Sequence, residues 1–168
     1  YRETLMAQPD DSPVLRYLES RQLSHAVAPF GIGFAANYRK GEKSPLLEHL
    51  KDVDPERLIQ LGLARLSADG RDNAPYDFFR NRVMFPIQDS RGRVIGFGGR
   101  ALGDGNPKYI NSPDTVLFDK GRSLFNMHRA APRARIESRV VVVEGYVDAI
   151  AFDTARIPEV VAPNGTAL

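Results

Sequence analysis

Val140-Val141-Val142-Val143-Glu144-Gly145-Tyr146-Val147-Asp148 reads as a strand that runs straight into a helix. Four β-branched residues without a polar interruption predict a buried strand, covered on both faces as in a parallel sheet. Gly145 allows a sharp turn, and Tyr146 to Arg156 carries Val147, Ile150 and Ala151 at helical spacing. Val160-Val161-Ala162 predicts a second strand, ended by Pro163-Asn164-Gly165. Strand, helix, strand is the opening unit of a parallel α/β sheet. One helix cannot cover both faces of two strands, so the rest of such a domain is expected beyond Leu168.

Upstream the pattern differs. Val83-Met84-Phe85-Pro86-Ile87 and Arg93-Val94-Ile95-Gly96-Phe97 flank Asp89-Ser90-Arg91-Gly92, which predicts a β-hairpin with a tight turn. Asp69-Gly70 is a second hairpin signal, and Lys108-Tyr109-Ile110 a short extended piece within a loop-rich region. A helix is expected near 126–135, with Pro132 as its breaker. Ser12-Pro13, Ser44-Pro45 and Asp54-Pro55 each signal a helix start, a capping side chain followed by proline at the first helical position. Phe30-Gly31-Ile32-Gly33-Phe34 between them predicts a strand or a close-packed turn, since two glycines disfavour a helix. The helical first part reads as scaffold. The fold class is therefore α/β (α+β): short helices and an antiparallel sheet over 1–137, then the first β-α-β unit of a parallel sheet over 138–168.

The 168 residues contain no cysteine, which excludes disulfides and thiolate metal sites, and the three histidines stand far apart. No apolar run reaches a membrane span and no signal segment opens the chain. The first residue is Tyr1, so a cytoplasmic piece of a longer protein is expected. The formal net charge of +2 hides an uneven distribution. Residues 1–70 carry nine Lys/Arg against ten Asp/Glu, 71–139 thirteen against seven, and 140–168 one against four. A basic middle beside an acidic end suggests a cationic surface for a polyanion next to a carboxylate site. An arginine-rich solvated face is the plainer alternative.

Sites in open α/β sheets lie beyond the carboxyl ends of strands, where Glu144 stands. A carboxylate there is placed for proton transfer or metal chemistry. Equally, Glu144 and Asp148 suit the positive end of a helix dipole, and the residues alone do not choose. Gly96-Phe97-Gly98-Gly99-Arg100 lacks the spacing and the strand-to-helix setting of a phosphate loop, so closely packed backbone is the expected reason for its glycines. Arg80 and Arg82 share a face by strand alternation, and Arg100 ends the neighbouring strand. All three are expected on one side of the sheet, able to grip phosphates in bidentate fashion, unless they are simply solvated. Lys108 and Lys120 lie in loops nearby, with Asn106, Tyr109 and Asn111 as stacking or hydrogen-bonding partners.

Five blocks carry a resemblance: Arg80–Ile87, Gly92–Arg100, Pro107–Pro113, Phe118–Arg122 and Val143–Asp148. In order and spacing they closely resemble bacterial replicative DNA primases, specifically over 76–168 and more weakly before. The resemblance implies the N-terminal basic subdomain of the RNA polymerase core (1–137) and the start of a Toprim domain (138–168). It implies template-directed synthesis of short RNA primers from ribonucleoside triphosphates on single-stranded DNA, through an RNA–DNA hybrid, with magnesium or manganese. Glu144 matches the Toprim glutamate, assigned to acid–base catalysis and the metal site, and Gly145 and Asp148 match its flanking motif. Further metal carboxylates, an Asp-x-Asp pair, are expected beyond Leu168. Arg80, Arg82, Arg100, Lys108 and Lys120 match the basic patch that handles template and nucleotide phosphates, with Tyr109 and Asn111 in the same block.

The resemblance also implies a separate zinc-binding domain and a separate helicase-binding domain, neither within these residues, and a bacterial cytoplasmic, nucleoid-associated protein. By itself the chain is expected to bind nucleic acid weakly and to make no primers. Asn164 stands where the family usually has an apolar residue before Gly-Thr, and Val147 where it usually has methionine. Two other classes share part of the pattern. Topoisomerases and overcoming-lysogenization-type nucleases carry the Glu-Gly strand end without the Arg-Asn-Arg and Pro-Lys-Tyr-Ile-Asn blocks. In a non-catalytic nucleic-acid-binding module, Glu144 would only cap a helix.

Overall fold

The computed structural model describes residues 1–39, 42–67 and 74–165. Helices α1 (Arg2–Met6), α2 (Pro13–Ser20) and α3 (Val27–Phe30) lead into strand β1 (Gly33–Ala35). The Ser12 hydroxyl accepts the Leu15 N–H at 3.4 Å and Pro13 opens α2, as the Ser-Pro signal predicts. Val14 and Leu18 bury one face of α2. Gly31 closes α3 in the left-handed region (φ 65°), so the Phe30–Phe34 stretch is both a turn and a strand.

Helices α4 (Pro45–His49) and α5 (Pro55–Gln60) follow, then β2 (Ala64–Leu66) and β3 (Pro75–Asp77), paired antiparallel. The Asp69-Gly70 turn expected between them lies outside the described residues. Asp54 caps α5 through the Glu56 N–H at 2.9 Å. Ser44 does not cap α4; its hydroxyl donates to the Tyr38 oxygen, and the buried Asp77 carboxylate of β3 accepts from Leu46 N and Leu47 N instead. A distant carboxylate has displaced the local cap.

Strands β4 (Arg82–Gln88), β5 (Val94–Ala101) and β6 (Tyr109–Asn111) complete an antiparallel sheet of order β1-β4-β5-β6. The expected hairpin turn is held by Asp89, whose carboxylate accepts from Arg91 N and Arg93 N. The glycines of β5 serve close packing, as expected. A Cβ on Gly98 would collide with the Tyr146 ring, and one on Gly99 would lie 2.8 Å from Phe79.

Strand β7 (Leu124–Phe125), helix α6 (Met127–Glu137), strand β8 (Val141–Val142), helix α7 (Tyr146–Thr154) and strand β9 (Val160–Pro163) end the described chain. β8 and β9 pair in parallel across α7, so the strand–helix–strand unit forms. β7 pairs antiparallel with β9, which makes this second sheet mixed, with order β7-β9-β8. Three expectations need correction. The Val140–Val143 run is not buried on both faces: Val141 and Val143 pack against the core, while Val140 and Val142, 47% and 46% exposed, lie on the opposite face, left open among the described residues. Pro132 does not break α6; it lies inside the helix, whose first half is anchored where Ala130 is buried and Arg129 pairs with Asp153. In α7, Ala149 and Ile150 turn inward and Ala151 outward.

One core joins these parts. Leu5, Val14, Leu18, Phe30 and Phe34 pack with Val83 and Phe85 of β4, and with Phe125, Tyr146, Ile150, Val160 and Ala162. The opposite face of the antiparallel sheet carries a smaller cluster of Ala35, Phe79 and Met84. Among the described residues no helix is long and apolar enough to cross a membrane.

Candidate nucleotide and nucleic-acid cleft

The register of the hairpin sets the site. Val83 faces Arg100 across the ladder and Arg100 faces Tyr109, while Gly98 sits between Phe85 and Asn111. Side chains directly opposite share a face, so Arg100, Tyr109 and Asn111 stand on the face that meets α7. There they border an open cleft of about 480 Å³, closed on the other side by Glu144, Gly145, Tyr146, Val147 and Asp148. Lys108, Pro163 and Gly165 also line it.

Tyr146 is the keystone of this wall. Its ring rests on Gly98, stacks on Phe85 at 5.5 Å between centroids and meets Phe125 edge-on at 4.8 Å. Its hydroxyl donates to Asn111 Oδ1 at 2.7 Å. Burial pushes its phenol well above the usual tyrosine range, so it is a fixed donor and not an acid. Asn111 Nδ2 in turn donates to the Asn164 carbonyl, and Asn164 Nδ2 donates to the Ser123 carbonyl at 2.7 Å. Asn164 is fully buried, and its side-chain oxygen lies 3.3 Å from the Tyr146 hydroxyl. This buried asparagine thus ties β6, α7 and the end of β9 together.

Glu144 lies between β8 and α7, exposed and lining the cleft. It is not the helix cap: Gly145 holds the N-cap position of α7, and no side chain caps it. Among the described residues no group of three or more Asp, Glu or His side chains forms that could hold a metal.

The seven predicted binding residues divide. Arg100, Lys108, Tyr109 and Asn111 meet at the cleft with Glu144, whereas Arg80, Arg82 and Lys120 are not among its lining residues. The expected convergence of Arg80, Arg82 and Arg100 does not occur. Arg82 is opposite Ala101 and Val83 is opposite Arg100, so Arg82 and Arg100 occupy opposite faces. Arg82 is 8% exposed and its Nη1 donates to the Gly99 and Lys108 carbonyls, at 3.2 and 3.4 Å. Arg80 is exposed over the rings of Tyr38 and Tyr76, at 5.5 and 5.4 Å.

The helical first part is more than scaffold. Tyr17 and Arg21, one turn apart on and just after α2, line the cleft. The Arg100 guanidinium lies over the Tyr17 ring at 4.0 Å. An aromatic–arginine pair at i, i+4 is the only sign of this in the sequence, and many surface helices carry one.

The family described as DNA primase catalytic core, N-terminal domain, matches residues 1–131. The chain belongs to this family. The DNA primase of Pseudomonas putida is 42% identical over 168 residues, 99% of this chain and 25% of that protein. The chain therefore spans about a quarter of the length of this relative. A crystal structure of a DNA primase domain from Pseudomonas aeruginosa superposes with a TM-score of 0.88 at 40% identity, covering 99% of this chain and 51% of that one. The RNA polymerase domain of the Mycobacterium tuberculosis primase, in complex with a double-stranded DNA bearing a 6-nucleotide overhang, gives a TM-score of 0.87 at 33% identity. It covers 100% of this chain and 51% of that one. Over its own length the chain thus shares sequence and shape with part of the primase core of these bacteria.

Proposed function

We propose that this chain is the N-terminal part of a primase active centre, which joins ribonucleotides on single-stranded DNA into short primers. The observation that carries this reading is the cleft itself, where Glu144 at a strand end faces Arg100, Lys108 and Tyr109 of the antiparallel sheet. In primer synthesis a 3′-hydroxyl attacks an α-phosphate and pyrophosphate leaves. Arg100 and Lys108 offset the triphosphate charge, and the Glu144 carboxylate accepts the hydroxyl proton. Tyr109, 41% exposed, offers a ring for a base to stack on. Arg82 supports the Lys108 backbone from behind, while Arg80 and Lys120 belong to an outer track for the template.

Glu144 and Asp148 are hard oxygen donors on the cleft wall, which suits magnesium, an ion held through one or two carboxylates plus water and phosphates. Glu144 would hold it, with further carboxylates from a later segment. Bound there, the ion would neutralise charge on the phosphates. Residues 1–137 form the basic subdomain and 138–168 the start of a Toprim domain. Zinc-binding and helicase-binding regions belong to other parts of such a protein, which works in the bacterial cytoplasm at the nucleoid.

A chimera tests the assignment. With this chain in place of the matching segment of the Pseudomonas putida primase, primers are expected on single-stranded template with magnesium. Glu144→Gln should lower their rate at least about a hundredfold. Undiminished synthesis would leave the cleft only a binding role.

A further inference from the structure

We propose that Tyr17 is a positioning residue, which holds Arg100 against an aromatic face so that its charge and the N–H donors not bonded to Ala101 serve a phosphate in the cleft. The proposal rests on the reading that this cleft takes nucleotide phosphates. Arg100 stands at the end of β5 with its guanidinium over the Tyr17 ring at 4.0 Å. Its Nη1 donates to the Ala101 carbonyl at 2.9 Å, and its Nε is buried without a partner. Among the described residues, no carboxylate forms an ion pair with it.

This choice of neighbour matters. A carboxylate would hold the guanidinium by consuming its donors and cancelling its charge. An aromatic ring holds it by its face and leaves charge and edge donors available. Tyr17 is a rigid platform for the task. It projects from α2, whose start is capped by Ser12 and whose Val14 and Leu18 are each 1% exposed. Arg21 lies over the same ring at 5.8 Å, so two cations converge on one aromatic at the cleft wall. Burial raises the Tyr17 phenol and the nearby Arg100 opposes that shift, as expected for a ring set against a cation.

Two measurements on the 168-residue chain test this. The first is calorimetric binding of inorganic triphosphate to wild type, Tyr17→Phe, Tyr17→Leu, Arg100→Ala and the Leu/Ala double variant, each checked by thermal melting. Tyr17→Leu should weaken binding about three- to tenfold and Tyr17→Phe by less than about twofold. In the Arg100→Ala background, Tyr17→Leu should change nothing further. Wild-type affinity in Tyr17→Leu, with Arg100→Ala impaired, overturns the positioning role alone. Equal losses in both backgrounds overturn it too, since Tyr17 would then act on its own. No loss in Arg100→Ala removes the phosphate reading and the proposal with it. The second measurement does not depend on Tyr17→Leu folding. The Arg100 side-chain protons should be shifted upfield by the ring in wild type and Tyr17→Phe, and unshifted positions there would overturn the stack.

Discussion

At the scale of single residues, the cleft depends on a missing side chain at Gly98 and on the cation of Lys108. Gly98 leaves the space that the Tyr146 ring fills, and this ring carries the wall that holds Asn111. Gly98→Ala should cost about 1–3 kcal/mol, read from the urea midpoint, because the added methyl displaces a packed aromatic. Lys108 is exposed at the cleft rim and, among the described residues, makes no ion pair. Lys108→Ala should weaken single-stranded DNA binding for every sequence and lower the salt slope by about 0.7, the share of one phosphate contact. An unchanged slope in a titration from low to high salt would show that Lys108 touches no phosphate. Asn111 is different. Its amide donates to the Asn164 carbonyl and accepts from the Tyr146 hydroxyl, so it holds the wall that it also lines.

At the scale of elements, distant groups finish what local sequence begins. Proline placed α4, yet its first turn is satisfied by Asp77 from a strand some thirty residues away. The start of β9 is tied to the residues after α6 by Arg139, whose guanidinium donates to Glu159 Oε1 at 2.6 Å. The hydrogen bonds and charge of Arg139 hold the Glu159 carboxyl below its usual 4.5. A depressed carboxylate stabilises the fold above its unfolded pKa and loses that contribution as pH falls through the folded one. The urea midpoint should therefore drop as pH is lowered from about 5 to 3, and Glu159→Gln should flatten that drop. A variant whose midpoint follows wild type over this range would show that the pair carries no pH-dependent stability.

At the scale of the whole molecule, a buried polar knot joins the antiparallel sheet to the strand–helix–strand unit. Asn164 is inaccessible and meets Tyr146, Asn111 and the Ser123 carbonyl. Asn164→Leu should destabilise this molecule by about 1–3 kcal/mol, since the Ser123 carbonyl loses its donor. Unchanged thermal unfolding would show that the local backbone adapts at no cost. The sequence alone determined the main hairpin with its Asp89–Gly92 turn, the strand–helix–strand unit, the packing role of the β5 glycines and the family, because these follow from local periodicity, turn chemistry and short motifs. It also marked Glu144, whose place follows from the end of a valine run. It did not determine which arginines meet. A shift of one residue in register moves a side chain to the other face, and the register of β4 on β5 set Arg82 apart from Arg100. Nor did it bring Tyr17 and Arg21 to the cleft or set β7 beside β9. Those outcomes depend on how α2 and the second sheet pack on the first, and such long-range packing leaves little trace in the residues that make it.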